Sequence, residues 1–205
     1  PQAIWPHAEE DRVWNRANAV YHRSSSGGGK WEIRRLPEQW AVSYKELTFQ
    51  LKPMAFKHTG LFPEQAVNWD FIMREIRAAG RPIRWIVDDC KKFVQREIRR
   101  GRQYDAVIMD PPSYGRGPGG ETWKIEEDVA GFVALTMQLL SDTPLFVLIS
   151  SYSTGLAPSV MSYLLGITAM RRHPGRVEAQ EIGLPVTSTG LVLPCGSSAR
   201  YLAAR

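Results

Sequence analysis

The chain has 205 residues, of which 43% are hydrophobic, and this suits one globular domain with a core of ordinary size. Its 26 lysine and arginine residues exceed its 21 aspartate and glutamate residues, which gives a formal net charge of +5. This mild basic excess suits a polyanionic partner such as RNA, but it is equally common among small-molecule enzymes. No apolar run approaches the roughly 20 residues of a membrane span, so we predict no association with a membrane.

The two cysteines, Cys90 and Cys195, form neither a CxxC pair nor a disulfide framework, which favours a reduced, cytoplasmic setting. The N-terminus has no signal-peptide architecture and no initiator methionine, so we expect the chain to begin inside a longer protein. We predict no metal site, because the histidines show no metal-ligand spacing. They are His7, His22, His58 and His173.

The first part of the chain predicts a small β appendage. Residues 1–29 are irregular in pattern and end in a serine- and glycine-rich run that we interpret as a flexible joint. Two β-like runs follow, Lys30–Leu36 and Trp40–Leu51, and the second alternates apolar and polar residues as a half-buried strand does. We therefore divide the chain into an N-terminal segment over residues 1–56 and a main domain over residues 57–205.

The main domain alternates predicted strands and helices. A turn at Thr59–Phe62 leads into a helix with Pro63 in its first turn and Gly80 at its end. Near-continuous apolar strands between helices predict an α/β fold, in which a parallel sheet is covered by helices on both faces. The elements that follow Gly80 are a strand at Ile83–Asp88, a helix at Lys91–Arg100, a strand at Tyr104–Asp110, a helix at Glu126–Leu140, a strand at Leu145–Ser150, a helix at Pro158–Met170, and strands at Arg176–Leu184 and Gly190–Pro194.

Carboxylates follow two of these strands, at the sheet edge where such folds carry their chemistry. Asp88 and Asp89 come after the strand from Ile83, and they suit either an N-cap or a carboxylate that accepts the exocyclic amine of adenine. We interpret Cys90, which comes next, as a small buried residue rather than a nucleophile.

The run Asp110–Tyr114, with the sequence DPPSY, carries the strongest signal. Two successive prolines stiffen the chain into an extended turn that presents its backbone carbonyls in fixed positions. A planar base or amine could be held there, with Tyr114 as a stacking face. The alternative is a strand-terminating loop in which Asp110 caps the next element.

The glycine-rich segment at residues 115–124 predicts a mobile flap over this site, or else a flexible surface loop. Arg116 and Lys124 are candidates for contact with phosphate, and Trp123 is a candidate for stacking on a base. A second group of cations is predicted to be a solvated helix face. It consists of Arg96, Arg99, Arg100 and Arg102.

With these runs in view, the chain resembles the class I S-adenosylmethionine-dependent methyltransferases related to the bacterial 23S rRNA large-subunit methyltransferases. The resemblance covers most of the chain, beyond the DPPSY motif. It includes the runs His22–Glu32, Lys57–Gln65, Asp88–Cys90, 110–124 and Gly190–Gly196.

The resemblance implies S-adenosylmethionine as the cofactor and a set of site residues. Asp89 and Asp88, with Cys90 beside them, would meet the adenine ring, and Asp110 and Pro111 would lie near the donor methyl. The other residues implied to lie against the cofactor are Thr59, Gly60, Phe62 and Gln65. The predicted catalytic residues are Asp110, Ser113 and Tyr114, and the predicted substrate contacts are Pro112, Tyr114, Arg116, Trp123 and Lys124.

One departure from the family concerns the chemistry. Related enzymes that methylate cytosine C5 carry a nucleophilic cysteine in the loop after the strand from Leu145, where this chain has Ser150–Ser153. Serine is too weakly acidic to replace a thiolate without a dedicated base. Direct methyl transfer to a ring nitrogen or exocyclic amine therefore fits better than a covalent adduct.

A second departure concerns the cofactor site. The glycine-rich loop after the first strand of the class, and the acidic residue after the second, have no counterpart here. We predict that two βα units, roughly 40 residues, are missing between about Gly80 and Ile83. We favour a segment that exists in the protein but is left out of this sequence over a true deletion. Without that segment, the remaining strands would expose an apolar edge and fail to close a core.

Three hypotheses follow for function. The first is a methyltransferase that acts on ribosomal RNA at a base nitrogen. The second is an enzyme of the same fold that acts on a protein or a small molecule, since fold does not fix substrate. The third is a non-catalytic RNA-binding module. The sequence leaves the oligomeric state and the target nucleotide open.

Overall fold

The computed structural model describes residues 15–25, 28–54, 58–83, 86–117, 119–153 and 155–204. These residues fall into two compact units, which join in the sequence between Pro63 and Glu64. The sequence pattern placed this boundary between residues 56 and 57, before the turn at Thr59–Phe62. In the structure that turn belongs to the first unit, because Thr59 and His58 accept backbone hydrogen bonds from residues 52 and 54.

The first unit contains two antiparallel hairpins, β1 (Ala19–Arg23) with β2 (Gly29–Ile33), and β3 (Trp40–Tyr44) with β4 (Leu47–Leu51). The prediction of irregular structure over residues 1–29 is therefore wrong for β1. The predicted flexible joint is the turn between β1 and β2, of which residues 26–27 lie outside the described part of the chain. The second predicted strand is a hairpin that reverses at Lys45, whose φ is 52°.

The second unit has five helices and six strands in its described residues. Its helices are α1 (Ala66–Ala79), α2 (Cys90–Arg99), α3 (Ile125–Thr136), α4 (Pro158–Ile167) and α5 (Ala169–Arg172). Its strands are β5 (Ala106–Met109), β6 (Tyr114–Arg116), β7 (Thr122–Lys124), β8 (Phe146–Ser151), β9 (Gly175–Pro185) and β10 (Val192–Ala203). The predicted helices are confirmed with shifted ends, and the helix expected from Pro158 to Met170 is divided at Thr168.

The main sheet has the strand order β5-β8-β10-β9. Strands β5 and β8 are parallel, whereas β10 runs antiparallel to both of its neighbours. The predicted all-parallel sheet is therefore wrong for the two late strands, which form one long hairpin. Strand β10 continues to Ala203, beyond the predicted end at Pro194, because its second half alternates buried and less buried residues like a sheet strand.

Helices cover both faces of the sheet, as predicted, because successive side chains of a strand point to opposite faces. Val147 and Ile149 of β8 join a buried cluster with α3 and α4. Phe146 and Leu148 point the other way and pack against Phe71 of α1. All six residues of β8 are buried, so this strand is the centre of the core.

Strand β5 is different, because among the described residues it pairs on one side only. Ile108 of this strand is 54% exposed, which is the open apolar edge that the sequence predicted. The accompanying prediction that the remaining strands could not close a core is wrong, since the sheet from β5 to β9 does enclose one. That the two βα units exist in the protein and are left out of this sequence stays a prediction.

The strand predicted at Ile83–Asp88 is absent from the described residues in that range, which exclude 84–85. Ile83 and Ile86 are exposed, and Val87 is 105% exposed. A strand needs a neighbour to pair its backbone groups, and none of the described strands pairs with residues 83 or 86–88. The strand prediction is therefore wrong for these described residues.

Candidate functional site

The site lies at the carboxyl ends of β5 and β8, which meet at one edge of the sheet because the two strands are parallel. The loop after β5 begins with Asp110, and the loop after β8 contains Tyr152 and Ser153. A 2.5 Å hydrogen bond between Ser113 Oγ and Ser153 Oγ joins the two loops. Ser113, predicted to be catalytic, therefore holds the DPPSY loop beside the end of β8.

A groove of about 500 Å³ lies beside this edge, between α2, β5 and α3. This volume falls within the range of small-molecule sites, roughly 300–1,000 Å³. The groove brings together two regions that the sequence separates, the acidic pair before α2 and the loop after β5. The predicted site residues that line it are Asp88, Asp89, Cys90, Asp110, Pro111, Pro112 and Trp123. Its apolar walls include Ile86, Phe93, Val94, Val107, Met109 and Phe132.

The acidic pair caps and anchors α2. Asp89 is the N-cap, and its Oδ1 accepts a 2.9 Å hydrogen bond from the backbone N–H of Lys92. Asp88 forms a 2.5 Å ion pair with Arg96, and the hydrogen bond from that guanidinium holds the pKa of Asp88 below its usual range. The capping interpretation of Asp89 is therefore correct. It is compatible with a ligand contact, because in the described part of the chain only Oδ1 of Asp89 is engaged.

Cys90, the first residue of α2, is exposed, so its interpretation as a buried residue is wrong. The reason is the open side of the groove, where none of the described strands covers the start of the helix. Cys195 is the buried cysteine, and burial raises the pKa of its thiol.

Asp110 has a raised pKa, because the surrounding groove partly desolvates its carboxyl. The residue nevertheless remains exposed on its open side. A carboxyl with a raised pKa at the end of a strand is typical of functional sites, because a structural ion pair would lower the pKa instead.

The predicted mobile flap is a paired hairpin formed by β6 and β7, of which Pro118 lies outside the described residues. Trp123 Nε1 donates a 2.6 Å hydrogen bond to the carbonyl oxygen of Pro112, and its ring packs edge-on against Phe132. The structure therefore uses Trp123 to anchor the hairpin on the DPPSY loop. Stacking of Trp123 on a base stays a prediction.

Three further predicted substrate contacts, Tyr114, Arg116 and Lys124, lie on this hairpin. Tyr114 is 54% exposed, and its hydroxyl accepts a 2.8 Å hydrogen bond from Arg116 Nε. Lys124 forms a 2.8 Å ion pair with Glu127. The predicted solvated helix face is confirmed for Arg99, Arg100 and Arg102, which are exposed, whereas Arg96 is partly buried and pairs with Asp88.

A buried polar network beside the site was missed by the sequence analysis. Gln65 Nε2 donates a 2.8 Å hydrogen bond to the hydroxyl of Tyr152, and Gln65 Oε1 accepts a 2.7 Å bond from Asn68. Asn68 is 1% exposed, and its Oδ1 accepts from Arg200 Nη2 at 2.6 Å and from Ser198 Oγ at 3.2 Å. The signal that could have found it is a pair of amides three residues apart, Gln65 just before α1 and Asn68 in its first turn.

Gln65 thus lies near the site, whereas Thr59, Gly60 and Phe62 belong to the first unit, and their contact with a cofactor stays a prediction. Among the described residues, no group of three or more His, Cys, Asp or Glu side chains is arranged to hold a metal ion. None of the described helices is both long enough and apolar enough to cross a membrane.

Solved structures share this fold. The crystal structure of the SAM-dependent methyltransferase from Agrobacterium tumefaciens is 27% identical, with a TM-score of 0.85, over 98% of this chain and 82% of that one. SMU.776, described as a candidate methyltransferase and complexed with SAH, is 11% identical with a TM-score of 0.65 over 93% of this chain and 63% of its own. A candidate SAM-dependent methyltransferase from Streptococcus mutans has a TM-score of 0.66 at the same identity. No family model and no curated protein matches the chain. The predicted fold class is confirmed by these neighbours.

Proposed function

From the premise that this chain is an S-adenosylmethionine-dependent methyltransferase of class I, we propose that it methylates a base nitrogen of RNA, and of ribosomal RNA in particular. The observation that carries the proposal is the groove, because both Asp110 and Pro111 and the acidic pair that precedes α2 line it. One end of such a groove suits an adenine ring, and the other end suits the atoms that exchange the methyl group.

The residues of the groove fit this cofactor in part. Asp89 can accept the exocyclic amine of adenine while it caps α2, because one carboxylate oxygen serves each purpose. Phe93 and Met109 supply apolar walls for the ring, and Asp110 and Pro111 would lie toward the amino acid end. When bound, the cofactor supplies an activated methyl group on its sulfonium. The part of the family's site that binds the ribose hydroxyls has no counterpart among these 205 residues.

Direct transfer to nitrogen is favoured by the surroundings of the acceptor. The loop after β8 carries serines and Tyr152 but no thiol. Cys195 is buried, and burial raises its pKa, which disfavours the thiolate that a covalent adduct requires. An amine or ring nitrogen needs only alignment with the methyl donor and a group that takes its proton.

Asp110 is suited to take the proton of the acceptor nitrogen. Its carboxylate can accept a hydrogen bond from the acceptor N–H and so direct the nitrogen lone pair toward the donor methyl. The carbonyl of Pro112 is already used by Trp123. Among the described backbone hydrogen bonds, the carbonyls of Asp110 and Pro111 accept none, so these two can hold the acceptor amine.

The charge distribution supports a nucleic-acid acceptor. The formal net charge is +5, and exposed cations lie near the groove, Lys91 on its wall and Arg116 on the hairpin. Cations around a groove bind phosphate without reading sequence, and binding that depends on them weakens steeply as salt rises.

The test is methyl transfer from labelled S-adenosylmethionine to ribosomal RNA isolated from a strain that lacks the protein. We expect label in the RNA, with S-adenosylhomocysteine released in equal amount, and no label in RNA from the parent strain, whose sites are already methylated. Label that appears in a protein or metabolite fraction instead would contradict the RNA proposal. Failure to bind S-adenosylmethionine in calorimetric titration would favour a non-catalytic RNA-binding module.

A further inference from the structure

Three arginines in and just after α2 are explained by a buried carboxylate. Glu97 is 1% exposed, and the guanidinium groups of Arg96, Arg100 and Arg102 lie 3.9, 3.1 and 3.7 Å from its carboxylate oxygens. A buried charge is costly unless it is paired. These three arginines therefore serve the fold of the second unit.

Three other cations of α2 have no such role. Lys91, Lys92 and Arg99 are exposed, and within the described residues none of them forms an ion pair. The charge of Lys92 acts on Asp88, but that carboxylate is already paired with Arg96 at 2.5 Å. The positive charges of the two lysines and of Arg99 are therefore open to an anion from outside the unit.

These cations share one face of the helix, because an α-helix turns about 100° per residue. The buried residues Val94 and Glu97 point to the opposite side, toward the rest of the unit. Glu97 is the acidic residue of the segment Cys90–Arg99, so no carboxylate of the helix itself interrupts the exposed face. We call this surface the cationic face of α2, and it consists of Lys91, Lys92, Gln95 and Arg99.

The two lysines are not placed where they would stabilise the helix. Lys91 and Lys92 lie in its first turn, and the peptide dipoles give that end of a helix a partial positive charge that disfavours cations. In the part of the chain that the structure describes, no ion pair of either lysine offsets this effect. A departure from local electrostatics without compensation in the fold is typical of a surface that serves binding.

The cationic face continues from the groove of the proposed active site. Lys91 lines the groove beside Asp89, whereas Lys92 and Arg99 lie outside it. Lys92 and Arg99 are two turns apart, about 10 Å along the helix axis. A polyanion with one unit in the groove can therefore continue along α2 and meet a positive charge at each turn.

We propose that the cationic face of α2 binds the phosphate backbone of the RNA that is methylated and so leads the strand to the groove. The inference rests on the proposed function, because it names the surface that holds the acceptor of that same site. Exposed cations in a row bind phosphates without reading the base sequence, which leaves the choice of the target base to the groove.

The first test measures binding of a labelled single-stranded RNA oligonucleotide by fluorescence anisotropy at several salt concentrations. The variant is Lys92→Gln with Arg99→Gln, which leaves the groove residue Lys91 in place. Each phosphate contact on a single strand adds about 0.7 to the slope of log K against log salt, so the slope should fall by about 1.4. The Kd at about 0.1 M salt should rise at least about tenfold.

The matched control removes the same charge elsewhere, through Arg171→Gln with Arg176→Gln. Arg171 lies on α5, and Arg176 lies on β9, at the opposite edge of the sheet from β5. We expect the control to change the Kd by less than about threefold. An equal loss in both variants would overturn the proposal, because net charge rather than α2 would then govern binding.

Urea midpoints show whether the test variant is folded. We expect no shift, because Lys92 lies at the end of α2 that disfavours a cation and Arg99 lies at the end that favours one. An unchanged Kd and salt slope in the folded variant would overturn the proposal. Loss of binding to poly-L-glutamate without loss of binding to the RNA would also overturn it, in favour of an acidic protein segment as the occupant.

Methyl transfer separates this proposal from the proposed function. In the double variant, the KM for ribosomal RNA should rise while kcat stays nearly unchanged, since Lys92 and Arg99 lie outside the groove. If the unmodified protein labels RNA and the variant keeps its KM, the cationic face fails alone. If the unmodified protein labels a protein or metabolite fraction instead, the RNA proposal itself fails.

Discussion

The indole nitrogen of Trp123 donates a 2.6 Å hydrogen bond to the carbonyl oxygen of Pro112. This contact joins the β6–β7 hairpin to the proline turn that follows β5. Proline turns offer carbonyls but no N–H groups, so a donor from elsewhere must satisfy a carbonyl that faces the protein. The hairpin is therefore part of the site wall, and the indole is one of the groups that hold it against the proline turn.

Trp123→Phe is expected to loosen the hairpin while leaving the sheet intact. The loss of one hydrogen bond costs about 1 kcal/mol, which predicts hydrogen exchange about fivefold faster for the amides of residues 115–124. Exchange measured by mass spectrometry checks this. Trp40→Phe in the first unit is the matched control, and equal exchange in the two variants would contradict the anchoring role of Trp123.

Asp110→Asn is expected to reduce kcat for methyl transfer by about a hundredfold, because a group that orients and accepts the proton is lost. In the unmodified enzyme, kcat should fall as pH decreases through the raised pKa of Asp110, which lies above the ordinary 3.8. The variant should lack this decline. Activity profiles between pH 4 and 8 check it, and a variant that keeps the acidic decline would show that another group titrates.

The same pKa shift has a consequence for stability. Because the folded state raises the pKa of Asp110, its contribution to stability is present below the unfolded value and is lost as pH rises through the folded value. Asp110→Asn should therefore gain stability relative to the unmodified chain as pH rises from 3.5 to 7. Urea midpoints at the two pH values measure this gain.

The change of stability with pH should have the opposite sign for Glu97→Gln. Hydrogen bonds from Tyr104 and Arg100 lower the pKa of Glu97 below its ordinary 4.5. The resulting stability is fully present above pH 4.5 and is lost as pH falls through the folded pKa. We expect the variant to be less stable than the unmodified chain at pH 7 and nearly equal to it at pH 3. The exposed Glu38, changed to Gln, should show no such difference in urea midpoints.

Asn68→Ala should destabilise the second unit by about 2 kcal/mol, because it leaves the guanidinium of Arg200 without its buried acceptor. Urea unfolding checks the value. Val67→Ala changes the exposed neighbour on the same helix and should shift stability by less than about 0.5 kcal/mol. Equal effects would mean that water satisfies the guanidinium of Arg200 once the amide of Asn68 is removed.

Ile108→Lys tests the open edge of the sheet. In this 205-residue chain the side chain is 54% exposed, so the change should cost less than about 0.5 kcal/mol and reduce self-association, since lysine blocks pairing between edge strands. Urea unfolding and sedimentation measure both effects. A loss of more than about 2 kcal/mol would show that another segment covers β5.

Local sequence determined the helices and the buried strands, because their periodicity and their caps are short-range signals. Pro63 and Gly80 set the ends of the helical region around α1, and the apolar runs identified β5 and β8. The direction of β9 and β10 was not readable in this way. Strand direction depends on which neighbour supplies the hydrogen bonds, and the apolar pattern of a strand is the same in both directions.

The DPPSY motif was recognised from its residues alone, since two prolines impose a turn wherever they occur. The contacts around this motif were decided by the tertiary structure. Trp123 reaches Pro112 from a hairpin, and Gln65 reaches Tyr152 across 87 positions of sequence. Such bonds depend on the distance between elements after packing, which no local pattern contains. The sequence alone thus singled out the turn that follows β5, and the packing of α1 and β10 around β8 decided that Gln65 and Tyr152 meet.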